Sequence, residues 1–372
     1  MDLDILKKII KGYFGRIVLN RNTPLNIIFF VTSKCNAKCK HCFNWKNIIN
    51  SNKRKELNLE EIDKISKKLK YLQSLTISGG EPFLRDDLDK IIGLFYRNTN
   101  IVQVNIPTNG ILTNKIEKLV ENILKKCPHL YLRIGLSIDG LYKDHDNIRG
   151  YAGCFNNVIS TYNKLYKLKK GYPNLIISAA ITISTFNKNK IKQIINYLEH
   201  DLKLDDYVLL LTYGNPRVKN AINVGIKDYI AATKIYKEML KGRNTSLPSK
   251  LFLYLTKFTQ EVIIEGLISK KRKIRCYAGK KIIVIDDIGD VYPCEILNKK
   301  IGSLREVDYS IKRVFNSKNY KNILNFINNK KCVCPWTCSI QNSLVVNPFQ
   351  IAGFKLNNLF RYFKRIKNYF RL

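Results

Sequence analysis

The chain has 372 residues, 45% of them hydrophobic, enough for a large core and one smaller domain. No run approaches the ~18 apolar residues of a membrane-spanning helix. The opening Met1-Asp2-Leu3-Asp4 is acidic and does not resemble a secretory signal peptide, so we expect a cytoplasmic protein with reduced thiols. The formal net charge is +36, but basic residues are scattered and follow no nucleic-acid-binding motif. The sequence therefore does not favour a specific nucleic-acid partner.

Hydrophobic runs alternate with helix-like segments over the first part of the chain, where the first predicted helix covers about residues 59–71. Strands are predicted at residues 25–31, 74–78, 101–106, 131–137, 175–183 and 207–212. This alternation predicts an α/β fold with a parallel sheet, which can curl into a barrel. Polar and glycine-rich motifs follow the strands, at the carboxyl edge where such folds place their chemistry.

Three cysteines follow the first predicted strand in a C-x3-C-x2-C spacing, namely Cys35, Cys39 and Cys42. Three thiolates can bind three corners of a cubane iron–sulfur cluster and leave its fourth iron open, whereas electron-carrier clusters generally use four cysteines. Zinc is the alternative, although zinc favours C-x2-C pairs and four ligands. The triad therefore predicts a cluster that takes part in chemistry.

Three further motifs follow the next three strands: Gly79-Gly80-Glu81-Pro82, Thr108-Asn109-Gly110 and Ser137-Ile138-Asp139-Gly140. Each motif alone is a weak signal, because Asn, Asp and Gly also end strands as ordinary turn residues. Their order behind the cysteine triad, over residues 25–212, resembles the radical S-adenosylmethionine (radical SAM) superfamily. Residues 141–150 are also typical of one large branch of that superfamily.

The resemblance implies a partial (β/α)6 TIM-like barrel and a [4Fe-4S] cluster whose open iron binds S-adenosylmethionine (SAM). Reductive cleavage of SAM then releases a 5′-deoxyadenosyl radical that abstracts hydrogen from a substrate, with flavodoxin or ferredoxin as the reducing partner. The three cysteines of the triad are the implied catalytic and metal-binding residues. The implied SAM-binding residues are His41, Gly79, Gly80, Glu81, Pro82, Asn109, Ser137 and Asp139.

The expected roles of the SAM-binding residues differ. Gly79 and Gly80 lack side chains and allow the backbone to approach the ligand closely, with Glu81 as a charged partner for the SAM ammonium. His41 stands where relatives often carry an aromatic residue near adenine, and it can stack there or be a solvated loop residue. Three polar residues are expected to bind the ribose or the carboxylate of SAM, or else to serve only as turn residues: Asn109, Ser137 and Asp139.

Five cysteines form a second group downstream: Cys276, Cys294, Cys332, Cys334 and Cys338. The first two frame a predicted hairpin with strands at 281–285 and 290–292. The layout resembles the auxiliary-cluster domains called SPASM or Twitch. Five cysteines are too few for two four-ligand clusters, so we expect one auxiliary iron–sulfur cluster of the [4Fe-4S] type, with zinc as the alternative. The first choices as ligands are Cys276, Cys294 and Cys338, and Cys334 is preferred to Cys332 because the Cys334-x3-Cys338 spacing matches that of the family.

Four other residues have expected structural roles. Trp336, with the preceding Pro335, is expected to seal the auxiliary cluster from water. Cys127, in a helical pattern, and Cys154, in a loop, are expected to be small buried hydrophobic residues rather than ligands.

The chain divides into five predicted segments. They are an amphipathic lead-in (1–24), the radical SAM core (25–214), a helical connector (215–273), the SPASM/Twitch-like domain (274–345) and a basic amphipathic tail (346–372). The connector contains predicted helices at 227–240 and 250–267. In the tail, apolar residues recur at helical spacing among basic ones, which suits a helix on an anionic membrane surface or one that closes the domain. These apolar residues are Leu359, Phe363, Ile366 and Phe370.

The expected function is that of a radical SAM oxidoreductase. Many relatives in this branch modify peptides or protein side chains, so a peptide is the leading substrate class. A small anionic metabolite, such as a nucleotide or phosphosugar, is the second candidate and suits the basic charge. The third is a non-catalytic, metal-stabilised binding protein, although the intact triad and glycine motifs argue against it.

Overall fold

The computed structural model of the chain describes residues 23–240, 247–329 and 332–355. All six predicted strands of the core are present, and their bounds agree with the predictions to within two residues. They are β1 (Asn26–Thr32), β2 (Ser74–Gly79), β3 (Gln103–Thr108), β4 (Tyr131–Ser137), β5 (Leu175–Ile183) and β6 (Asp206–Leu211). Each strand pairs in parallel with the next, so all six carboxyl ends meet at one edge. This parallel sheet confirms the predicted α/β class, and its order is that of a partial barrel.

Amphipathic helices follow these strands and cover the sheet. They are α1 (Trp45–Ile49), α2 (Leu59–Lys67), α3 (Leu88–Asn98), α4 (Thr113–Lys126), α5 (Tyr142–Arg149), α6 (Cys154–Lys169) and α7 (Ile191–His200). α2 starts in a capping box between Asn58 and Glu61, which satisfies two backbone donors at its first turn. It ends four residues before the predicted end, because successive turns at residues 66–72 carry Leu69 and Leu72 into the core.

The C-terminal part extends the same sheet rather than forming a separate one. Its elements are α8 (Ile226–Met239), α9 (Leu247–Ser269), β7 (Ile282–Ile285), β8 (Asp290–Tyr292), β9 (Gly302–Ser303), α10 (Ile311–Phe315), α11 (Lys318–Asn328) and α12 (Thr337–Val346). β7 pairs in parallel with β1, and β8 and β9 follow in antiparallel order, which confirms the predicted hairpin. The downstream cysteines therefore lie beside the strand that precedes the cysteine triad.

β1 is completely buried because it lies between β2 and β7 and is covered on both faces. One face contributes Ile27, Phe29 and Val31 to the main hydrophobic core. The other face contributes Ile28 and Phe30 to a second cluster, which also contains Trp336 and packs against four of the downstream cysteines. Four of the five downstream cysteines therefore lie on this second face.

Several predictions concern other parts of the chain. Cys127 and Cys154 are both buried, as expected, but the placement of Cys154 in a loop was wrong, because it begins α6. Residues 1–22 of the predicted lead-in lie outside the described residues, as do the four apolar residues named in the tail. No helix within the described residues combines the length and the apolar character needed to span a membrane.

Candidate functional site

The loop after β1 carries the triad at the carboxyl edge of the sheet. Cys35, Cys39 and Cys42 are half-buried free thiols, close enough for their charges to interact. Burial raises the pKa of Cys35 and of Cys42 to about 12. These two thiols are therefore protonated at neutral pH, and a metal that binds them must displace the protons. Three sulfur donors in one loop are a set that fits three irons of a cubane cluster.

The segment after β6 holds the outer side of the cysteine loop. The amide of Arg217 donates to the carbonyl of Cys42 at 3.0 Å, and the amide of Val218 donates to that of Lys40 at 2.9 Å. Backbone hydrogen bonds therefore join the segments that follow the first and last strands of the parallel core.

Gly79 and Gly80 bring the end of β2 against the cysteine loop. The amide of Gly80 donates to the carbonyl of Thr32 at 2.8 Å, and the amide of Glu81 donates to that of Lys34 at 2.9 Å. A Cβ atom on Gly80 would lie 1.9 Å from the Lys34 oxygen, and Gly79 has a φ of +117°, a conformation that favours glycine. The sequence predicted a close approach to a ligand. The close approach in the structure is to the backbone of Thr32 and Lys34, which directly precedes the triad.

Glu81 connects its own motif, residues 79–82, to the motif at residues 108–110. Its buried carboxylate accepts hydrogen bonds from the Phe83 amide at 3.2 Å, the Thr108 hydroxyl at 2.8 Å and the Asn109 amide at 2.8 Å. Burial raises the pKa of Glu81 to about 7, although these hydrogen bonds oppose the shift. Pro82 starts the short turn Pro82–Leu84 and is also buried. Both residues thus organise the backbone around the predicted SAM site.

Asn109 and Ser137 occupy the ends of neighbouring strands. The side-chain oxygen of Asn109 accepts from the Ile111 amide at 2.9 Å, and its amide group donates to Asn36 in the cysteine loop at 2.8 Å. Asn109 therefore shapes a turn and also contacts the loop. Ser137 ends β4 with a half-buried side chain.

Asp139 lies in a buried ion pair that the sequence analysis missed. Its side chain is 0% exposed, accepts from the Thr182 amide at 2.6 Å and lies 2.5 Å from Nη2 of Arg149. Burial raises the pKa of Asp139, but the Arg149 guanidinium, the two neighbouring imidazoles and the Thr182 hydrogen bond together outweigh it, so the pKa is lowered. Arg149 belongs to the stretch typical of the family branch, but nothing in that pattern indicated its partner.

His41 faces this ion pair, with Nε2 3.5 Å from Oδ2 of Asp139. Burial lowers the pKa of His41 to about 4, so the imidazole is neutral at neutral pH. Its side chain is only 9% exposed, and the alternative of a solvated loop residue was wrong.

Four of the five downstream cysteines form a group in which every thiol interacts electrostatically with the others: Cys276, Cys294, Cys332 and Cys334. Burial raises the pKa of Cys294 to about 12 and also raises that of Cys334 well above its ordinary value. Cys338, which the spacing favoured, lies beside Glu295 and packs against the same hydrophobic cluster as Cys276, Cys294 and Cys334. Trp336 is 2% exposed and belongs to that cluster, at the position where the sequence predicted a shield against water.

Tyr213 lies between the two cysteine groups. Its hydroxyl donates to Oε2 of Glu295 at 2.7 Å, and its ring centroid is 5.0 Å from that of Phe43 in the triad loop. Cys42 and Cys338 both influence the tyrosine electrostatically, so it borders both groups. The sequence analysis missed Tyr213 and Glu295, and the position of Glu295 directly after Cys294 was the only available signal.

Within residues 23–240, 247–329 and 332–355, no three His, Cys, Asp or Glu side chains are arranged to hold a single metal ion.

Two protein-family models match the chain. The Radical SAM superfamily matches residues 29–198, and SPASM, an iron–sulfur cluster-binding domain, matches residues 276–339. The chain contains a radical SAM domain followed by a SPASM domain. The superfamily implies a [4Fe-4S] cluster and SAM, and the SPASM domain implies auxiliary iron–sulfur chemistry. This result confirms the predicted cofactors and does not support the zinc alternative.

Two curated relatives are named for different activities. The antilisterial bacteriocin subtilosin biosynthesis protein AlbA of Bacillus subtilis is 27% identical over 309 residues, which cover 79% of this chain and 60% of AlbA. A GTP 3′,8-cyclase of Clostridium botulinum is 25% identical over 284 residues, which cover 75% of this chain and 84% of the cyclase. The chain thus spans less than two thirds of AlbA.

Streptococcus suis SuiB is a solved structure with the same fold. Its complex with S-adenosylmethionine matches with a TM-score of 0.59 and 16% identity, over 87% of this chain and 73% of SuiB. Its complex with the precursor peptide SuiA matches with a TM-score of 0.60 and 16% identity, over 86% of this chain and 71% of SuiB. At this identity, the likeness supports the fold alone.

Proposed function

We propose that this radical SAM enzyme oxidatively modifies a side chain of a peptide or protein. The observation that carries the proposal is the second cysteine group, which packs against the same face of β1 as Phe43 of the triad loop, with Tyr213 near both Cys42 and Cys338. A relative named for bacteriocin biosynthesis supports a peptide as the substrate class.

In this proposal, the triad of Cys35, Cys39 and Cys42 holds the cluster that binds SAM. When bound, cluster and SAM together supply a 5′-deoxyadenosyl radical. The backbone of Gly79 and Gly80, with Ser137, binds SAM at the strand ends. Glu81, Asn109 and Asp139 act mainly by holding the surrounding loops, because their polar atoms already have protein partners. His41 and Pro82 line the same region.

The second cysteine group is proposed to hold the auxiliary cluster. The four mutually close thiols are the preferred ligands: Cys276, Cys294, Cys332 and Cys334. Cys338 is the replacement ligand if one of them does not bind. The cluster that these cysteines would hold would supply a one-electron acceptor for the oxidation of a substrate radical. Trp336 keeps water from this group, and flavodoxin or ferredoxin is the proposed external reductant.

A small anionic metabolite is the second candidate substrate. The similarity to GTP 3′,8-cyclase favours a nucleotide, and the formal charge of +36 would attract an anion. A substrate test must therefore include both classes.

The proposal is tested by anaerobic reconstitution of wild-type protein and of Cys35→Ala/Cys39→Ala/Cys42→Ala, with Cys127→Ala as a matched cysteine control. We expect about eight irons in the wild type and the control, about four in the triple variant, and 5′-deoxyadenosine from all but the triple variant. Deoxyadenosine formation by the triple variant would contradict the site.

Substrate class is tested with deuterated substrates. Precursor-type peptides and GTP are incubated separately with the reconstituted protein, and deuterium in 5′-deoxyadenosine is measured by mass spectrometry. Transfer from a peptide supports the proposal. Transfer from GTP alone would replace it with the nucleotide alternative.

A further inference from the structure

Arg149, the last residue of α5, is buried against the cysteine loop. Its side chain is 8% exposed, with Nη2 2.5 Å from Oδ2 of Asp139 and Nη1 3.6 Å from Sγ of Cys39. The planar guanidinium therefore spans the distance between a buried carboxylate and the middle thiol of the triad. A fork of donors in fixed directions is specific to arginine, and a lysine ammonium cannot reproduce it.

The backbone at the end of α5 contacts the same loop. The carbonyls of Ile148 and Arg149 accept hydrogen bonds from the amides of Lys40 and Lys38, each at 2.9 Å. The last carbonyls of a helix have no partner within the helix, so the cysteine loop satisfies them. Gly150 follows with a φ of +63°, and a Cβ atom there would lie 2.7 Å from the Lys38 oxygen. The end of α5 is therefore fitted to this loop in both backbone and side chain.

The carboxylate that holds Arg149 is itself fixed. Asp139 accepts from the Thr182 amide through its side chain, and its carbonyl accepts from the Asn187 side chain at 2.9 Å. Removal of Arg149 would leave this buried carboxylate without its cation, which is unfavourable. The ion pair with Asp139 therefore fixes the guanidinium of Arg149 beside the thiol of Cys39.

We propose that Arg149 is a positioning residue that sets the geometry and the redox potential of the SAM-binding cluster. Its carbonyl and its guanidinium hold the loop around Cys39. A positive charge and an N–H donor beside a ligand sulfur also favour the more negative, reduced state of the cluster, so they raise its reduction potential. This inference rests on the proposed assignment of Cys35, Cys39 and Cys42 as cluster ligands.

Two substitutions separate the contributions of charge and geometry. Arg149→Gln removes the charge, whereas Arg149→Lys keeps the charge but loses the fork. Arg133→Gln is the matched control, because Arg133 on β4 also forms an ion pair with an aspartate, Asp206, but lies toward the amino end of the strand, away from the triad.

Two properties of each full-length variant are measured, the hydrogen exchange of the cysteine loop and the midpoint potential of the cluster. Hydrogen exchange of peptides covering residues 35–43 is measured before and after cluster reconstitution. The midpoint potential is measured by EPR for the cluster whose signal changes when SAM is added. We expect at least tenfold faster exchange of the loop in both Arg149 variants, a more negative potential in Arg149→Gln, and a potential nearer the wild type in Arg149→Lys.

A wild-type exchange rate and potential in Arg149→Gln, as expected for Arg133→Gln, would overturn the inference. If Arg149→Gln does not fold, unchanged loop exchange in Arg149→Lys would overturn it equally. Failure of the underlying site assignment is distinguishable, because the triple cysteine variant would then retain the SAM-responsive EPR signal.

Discussion

Arg54 joins the segment after the cysteine loop to the turn between β7 and β8. Its Nε lies 2.9 Å from Oδ2 of Asp287, and its Nη2 lies 2.6 Å from Oδ1 of Asp287 and 2.8 Å from Oδ2 of Asp286. Both carboxylates are buried. We predict that Arg54→Met leaves two buried negative charges without their cation and loosens the contact between the radical SAM and SPASM regions.

The expected cost follows from burial. Removing one partner of a buried ion pair costs about 3–5 kcal/mol. Burial already raises the pKa of Asp286 to about 6 from 3.8 with Arg54 present, which corresponds to about 3 kcal/mol against the charged form. Because the folded pKa lies above the unfolded one, this group's stabilising contribution is complete below about pH 4 and is lost as the pH rises through 6. The deficit of Arg54→Met should therefore be largest near pH 8 and smaller at pH 5.

The measurement is urea unfolding followed by circular dichroism at pH 8 and pH 5. Arg54→Met/Asp286→Asn/Asp287→Asn should recover at least half of the loss, because the uncompensated charges are gone. Arg97→Met, at an exposed position of α3, serves as the control and should change stability by less than about 0.5 kcal/mol. A loss below about 1 kcal/mol at pH 8, or an equal loss at both pH values, would refute this reasoning.

Three other substitutions test the remaining contacts. Gly80→Ala places a methyl group against the Lys34 carbonyl, so we expect a shifted loop and at least about tenfold weaker SAM binding by calorimetry, whereas wild-type affinity would contradict the geometry. Glu81→Gln replaces an acceptor of backbone N–H groups by a donor, and thermal unfolding should reveal a loss of about 1–3 kcal/mol. Arg305→Ala removes the cation that, by hydrogen bonding, lowers the pKa of Glu61 to about 2. Its cost of about 1–2 kcal/mol should be complete above pH 4.5 and narrow as the pH falls toward 2, and a pH-independent cost would count against this pairing.

The order of strands and helices was predictable because it depends on local pattern. β4 and β5 begin and end at the predicted residues, since each is a hydrophobic run bounded by turn residues. The shared position of the three triad cysteines was also predictable, because they fall within eight positions directly after a predicted strand. The shortened end of α2 was not predictable, since burial of Leu69 and Leu72 requires neighbours from other elements.

The chemical surroundings of the site depend on contacts between distant residues. Arg149 contacts Cys39, from which it is separated by 110 positions in the sequence, and Tyr213 contacts Glu295, at a separation of 82 positions. Spacing favoured Cys334 over Cys332, whereas folding brings both thiols within electrostatic reach of Cys276 and Cys294.

The fold class, the cysteine loop and the cofactors were predictable from the sequence, because strand periodicity and cysteine spacing are properties of short segments. The charges that surround the thiols and the elements that hold the loop became apparent from the folded chain. Those contacts form when the carboxyl ends of parallel strands and the end of a helix meet at one edge, and no local pattern records which side chains then become neighbours.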